Sequence, residues 1–188
     1  MKIILASKSP QRKTLLKKLN LNFTSVSSNI NENIFINKIK NPNLLCKRLA
    51  IEKSKYIAKK YPNHLIIGAD TIISLNNKIL GKPKNKKEAH NYLNLLSDKK
   101  HTVYTGVSII NLKKNININF IDKTIVQFYK LNKNDIKYYI NSFNPCERSG
   151  GYGIQDWSGI FIKTINGCYY NVVGFPLPKF YKLFKEIK

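Results

Sequence analysis

The stretch Ile3-Ile4-Leu5-Ala6-Ser7-Lys8-Ser9-Pro10-Gln11-Arg12 decides how the rest of the chain is read. The apolar run Ile3–Leu5 reads as a buried strand. Ser9 followed by Pro10 reads as a helix start, because serine caps an orphan N–H and proline fits the first helical position, where no N–H is needed. Leu15, Leu16 and Leu19 then give the helix its inner face. A strand therefore ends, two hydroxyls follow, and a helix N-terminus carrying Arg12 opens outward. Free backbone N–H groups, the helix dipole, serine hydroxyls and a guanidinium together suit an anion, most naturally a phosphate. For a Ser-Pro pair alone a simple capped strand-to-helix turn is the better account, so the anion-site reading rests on later segments.

A length of 188 residues suits one domain with two lobes and is enough to bury a core. No internal repeat, membrane-length apolar run or secretory leader is evident, so the expected compartment is the cytoplasm. Cys46, Cys146 and Cys168 are far apart, with no pair at metal-ligand spacing, and read as reduced structural thiols. The net charge of +23 invites a nucleic-acid reading. The lysines, however, are spread through every segment and lack the interleaved aromatics of a stacking platform, which argues against nucleic acid as the partner. Against this background of lysine, the three arginines Arg12, Arg48 and Arg148 mark places where a planar, bidentate group is wanted.

Leu21–Ser27 reads as a strand, and Glu32 follows as one of only ten acids. Asn41-Pro42-Asn43 begins a long helix to about Tyr61. Lys53 lies on its apolar stripe, four residues after Leu49 and four before Ile57, so it must snorkel or meet an anion. Leu65–Ala69 is a buried strand that runs straight into Asp70 and Thr71; a carboxylate there needs a metal ion, a cation or strong donors. Asn76-Asn77 is a tight turn. With two turn residues Thr71 faces Lys82 across the hairpin, with three Asp70 does, and both bring Lys82 close to Asp70.

Asn85 and Glu88 mark a capped helix through Leu93 and Leu96. His101–Leu112 and Ile116–Leu131 read as strands, with His101 a hydrogen-bonded structural histidine. Asp135 opens a helix carrying Ile136, Tyr139, Ile140 and Phe143. Asn144–Gly159 is a glycine-rich loop whose Arg148 and Gln155 supply donors. Phe161–Ile165 and Cys168–Val173 read as a hairpin about Asn166-Gly167, and a basic helix with Phe180, Phe184 and Ile187 closes the chain.

Taken together, L-A-S-K-S-P-Q-R, Leu49–Lys53, G-A-D-T at 68–71, G-K-P at 81–83, the run from Leu96 to Val107, S-G-G-Y-G-I-Q and N-V-V-G-F-P-L resemble, in order and over nearly the whole chain, the Maf family of nucleoside triphosphate pyrophosphatases. The resemblance implies an α/β fold of two lobes around a central nucleotide cleft, with a mixed twisted sheet and helices on its faces, akin to the inosine triphosphatases. It also implies a cytoplasmic enzyme, commonly a homodimer. The implied reaction converts a nucleoside triphosphate to the monophosphate and diphosphate with a divalent metal, Mg2+ or Mn2+.

On that reading Ser7, Ser9, Arg12, Lys53 and Lys82 hold the polyphosphate. Asp70 and Glu32 hold the metal, and Asp70 accepts the proton of the attacking water. Gln11, Thr71 and Gln155 match positions that set selectivity, with Gln11 standing where the family carries arginine and Glu147-Arg148 where Asp-Lys is common. The Y-G-I-Q form at 152–155 resembles the dTTP/UTP-preferring subgroup, and a glutamine amide matches the donor and acceptor of uracil. The alternatives are 7-methyl-GTP as substrate, or a basic nucleic-acid-binding or cell-division regulatory protein.

Overall fold

The computed structural model describes residues 1–187. One seven-stranded mixed sheet is its frame. Strands β1 (Ile3–Leu5), β2 (Phe23–Ser25), β3 (Leu65–Leu75), β5 (Lys100–Asn111), β6 (Ile116–Phe128) and β7 (Ile162–Asn166) run in the order β2-β1-β3-β5-β6-β7, and β4 (Lys78–Leu80) folds back on β3. The β1 strand is parallel to β2 and β3; the other pairings are antiparallel. The turn is the two-residue one: Leu75 pairs with Lys78 across Asn76-Asn77, both in the left-handed region that asparagine tolerates.

Helix α3 (Pro42–Lys60) lies directly on one face of the sheet. It comes so close that a Cβ on Gly106 would sit 2.6 Å from the Cys46 carbonyl oxygen, and one on Gly68 would overlap the Ala50 carbonyl. On the other face α1 (Pro10–Lys17) and α7 (Leu177–Lys185) cover Leu65, Ile67 and Ala69 with Leu15, Leu16, Phe180 and Phe184. Farther along β3, Ile73 and Leu75 belong to a second apolar cluster, built with α4 (Lys86–Leu96) and α5 (Lys133–Ser142). Because side chains alternate along a strand, Asp70 is sent to the α3 side and Thr71 to the α1 side. These two polar residues fall where one core ends and the next begins, and a cavity of about 770 Å³ opens there.

Two elements differ from expectation. Cys168–Val173 is not a returning strand: Tyr169–Val173 form helix α6, closed by Gly174 with φ of 119°. Its aromatic and β-branched residues favour a strand locally, but Asn171 is fully buried and donates to the Val103 carbonyl at 3.1 Å and to Thr124 Oγ1 at 2.8 Å, contacts a paired strand would not make. Asn33–Lys38 form a short helix, α2, that has no buried residue and therefore no apolar stripe to betray it. The glycine-rich loop is a series of 3-10 turns at Pro145–Glu147, Ser149–Gly151 and Trp157–Phe161.

Candidate active site

Lys53 is the centre of the cavity floor. Its ammonium lies 2.5 Å from Asp70 Oδ1 and 2.8 Å from Glu32 Oε1, joining α3, β3 and the start of α2. The apolar stripe had left this lysine to snorkel or to meet an anion, and the chain supplies two carboxylates. Burial alone would pull the ammonium's pKa down. Asp70, then Glu32, outweighs it and holds Lys53 above its ordinary value. The Lys53 and Asp70 side chains are 12% and 11% exposed whereas Glu32 is 44% exposed, so the inner pair is the strong one and the outer carboxylate faces the solvent side.

Arg12 occupies the opposite wall. The Ser9 side chain caps α1 by accepting from the Arg12 backbone N–H at 3.4 Å, and Pro10 takes the first turn, as the sequence indicated. The guanidinium donates from Nε to the Gly174 carbonyl at 3.0 Å, from Nη1 to Ser7 Oγ at 3.3 Å and from Nη2 to Thr71 Oγ1 at 3.0 Å. Burial lowers its pKa, opposed first by the charge of Asp70. Behind Asp70, the Cys46 thiol donates to the Asp70 carbonyl at 3.0 Å and receives the Gly106 N–H at 2.8 Å. Burial, then the neighbouring Asp70, pushes that thiol up, so it is an inert structural group.

The expected residues come together. Ser7, Ser9, Gln11, Arg12, Glu32, Lys53, Asp70, Thr71, Lys82 and Gln155 all line the one cavity. Lys82 and Gln155 are exposed at its rim, and among the described residues Lys82 has no ion-pair partner. Gln11 accepts from Ser9 Oγ at 3.1 Å. The glycine-rich loop adds Arg148, paired with Asp156 at 2.9 Å, and Ser149, whose hydroxyl donates to the Thr71 carbonyl at 3.2 Å. Sequence reasoning overlooked Ser149, Asp156 and the Gly174 carbonyl. The N-V-V-G-F-P-L motif was the only signal for the last, since nothing local says that a helix end there receives an arginine from residue 12.

For a divalent cation the donor set is two carboxylates, with no cluster of three or more His, Cys, Asp or Glu among the described residues. Oδ1 of Asp70 and Oε1 of Glu32 are engaged by Lys53, while Oδ2 and Oε2 accept no hydrogen bond from a described residue. Two hard oxygens beside a cationic pocket fit a small ion that brings most of its ligands as water and substrate phosphate, the habit of Mg2+.

Residues 2–187 match the family described as Maf-like protein. The dTTP/UTP pyrophosphatase of Thermosipho melanesiensis is 46% identical over 97% of this chain and 96% of its own. That of Carboxydothermus hydrogenoformans is 40% identical over 99% and 98%, and that of Bacillus cereus 41% over 100% and 94%. A HAM1 protein from Coxiella burnetii shares the fold, with a TM-score of 0.55 over 99% of each chain at 16% identity. With the ordered motifs gathered on one cleft and a match of full length, the chain belongs to the Maf family.

Proposed function

We propose that this chain hydrolyses dTTP and UTP to the monophosphate and diphosphate in the cleft between Lys53 and Arg12. The observation that carries the reading is the Lys53 ammonium bridging Asp70 and Glu32 on the floor of a cavity whose walls carry Arg12, Lys82 and Gln155. Curated relatives of full length with the same activity in their names support it.

In-line attack of water on the α-phosphorus breaks the bond to the bridging oxygen, and negative charge gathers on the departing diphosphate. The site must therefore supply positive charge and a proton acceptor. Arg12, the α1 N-terminus with Ser7 and Ser9, and Lys82 grip the phosphates. Lys53 holds Asp70 Oδ1, which leaves Oδ2 to take the proton from water. Asp70 and Glu32 would also hold Mg2+ or Mn2+, which when bound neutralises charge on the phosphate oxygens. Gln155 at the rim reads the edge of uracil or thymine, and Gln11 and Thr71 shape selectivity beside the phosphate grip. The same reading places the enzyme in the cytoplasm, which the unpaired cysteines favour, as a single two-lobed domain forming a homodimer.

The test is release of diphosphate from dTTP, UTP, CTP and 7-methyl-GTP with Mg2+, Mn2+ or chelator. Turnover of dTTP and UTP that stops with chelator is expected. Preference for 7-methyl-GTP, or no turnover with any of them, overturns the assignment.

A further inference from the structure

Beneath the phosphate-gripping wall lie two buried polar residues, Thr105 and Asn171, that take no part in the chemistry described so far. Thr105, on β5, is fully buried, and its hydroxyl stands 3.1 Å from the Asn171 carbonyl and 3.0 Å from Thr71 Oγ1. A carbonyl only accepts, so the Thr105 proton goes to Asn171. The Thr105 oxygen is then free to accept the proton of Thr71. That leaves the Thr71 oxygen as an acceptor, and Arg12 Nη2 donates into it at 3.0 Å. The alternative acceptor for Thr71, the Gly174 carbonyl, is farther at 3.4 Å and already receives Arg12 Nε at 3.0 Å. The same Asn171 carbonyl takes the Gly174 N–H at 3.0 Å, so Thr105 sits on the turn that presents that second acceptor.

We propose that Thr105 is a positioning residue for triphosphate binding: its hydroxyl sets the direction of the Thr71 hydroxyl and the placement of the Gly174 carbonyl, and so fixes the Arg12 guanidinium that meets the phosphates. The inference rests on the reading of Arg12 as a phosphate ligand. Without the Thr105 hydroxyl, Thr71 turns to the Gly174 carbonyl and competes there with Arg12 Nε. The guanidinium loses its fixed direction although Arg12 itself is unchanged.

The test is Thr105→Val, which keeps the shape and removes the hydroxyl, beside Thr105→Ser, which keeps the hydroxyl. With only three arginines in the chain, the Arg12 Nε–H resonance in a nitrogen-15 spectrum is readily assigned through Arg12→Lys. In Thr105→Val that resonance is expected to move and to exchange faster with water. KM for dTTP should rise about tenfold, the worth of one hydrogen bond to a charged group, with kcat changing by less than about threefold. Thr105→Ser should restore both. An Arg12 resonance and KM like the parent's in Thr105→Val, or a Thr105→Ser as impaired as Thr105→Val, overturns the proposal. Should the valine variant not fold, Thr105→Cys fills the space with a weak donor and is expected to show a smaller shift in the same direction, its absence counting against the idea. If the parent releases no diphosphate, the functional reading fails, and the resonance still decides the positioning.

Discussion

At the residue scale, the proposed chemistry turns on the triad of Lys53, Asp70 and Glu32. Replacing Asp70 with Asn keeps the volume and an oxygen for Lys53 but removes the proposed proton acceptor. Diphosphate release should fall by at least about a hundredfold with a circular dichroism spectrum like the parent's; a fully active variant would refute the role. His101 offers an independent check of burial. Its Nε2 is 2.7 Å from the Tyr152 hydroxyl, its Nδ1 has no hydrogen-bond partner among the described residues, and burial pushes its pKa down to about 4. The unfolded chain, with histidine near its ordinary value, binds the proton first. Stability contributed by neutral His101 is thus complete above about pH 6.5 and is lost as pH falls toward about 4, on the order of 3 kcal/mol in all. Urea midpoints across that range should drop for the parent and drop less for His101→Gln.

At the element scale, α3 carries the lysine and the sheet carries the aspartate, so their seat on one another sets the site. Gly106 pairs with Asp70 in the sheet and lies under Cys46 of α3. Gly106→Ala must push α3 away, costing about 1–3 kcal/mol by overpacking. It should also lower activity more than an equally destabilising change in α5, as denaturation and turnover measured together will tell. Gly174 closes α6 in the left-handed region, where an added Cβ has room, 3.5 Å from Thr71 Oγ1, but the backbone is strained. Gly174→Ala is therefore expected to cost about 1–2 kcal/mol and to raise KM, because the carbonyl that receives Arg12 shifts.

At the scale of the whole molecule, a net charge of +23 is the background to a cleft whose floor sets Lys53 between two carboxylates and whose lining also carries Arg12 and Lys82. Such a field draws in a polyanion, so kcat/KM for dTTP should fall as ionic strength rises, with kcat little changed. A nucleic-acid-binding protein would instead hold DNA with a steep salt dependence and would not need a divalent ion for that binding. No helix among the described residues is long and apolar enough to cross a membrane.

What the chain alone determined is what depends on neighbours in sequence. Ser9-Pro10 and Asn41-Pro42 set helix starts, Asn76-Asn77 marked a tight turn whose two-residue form, with Leu75 opposite Lys78, the fold then settled, and the strand period sent Asp70 and Thr71 to opposite faces. Tertiary structure decided the partners. Nothing local says that Lys53 meets Glu32 and Asp70, that Arg12 is received by a carbonyl 162 residues away, or that Y-Y-N-V-V coils rather than extends. Those outcomes come from burial: a polar side chain enclosed by distant segments must find its hydrogen bond among whatever the fold brings there, and that demand overrides local preference.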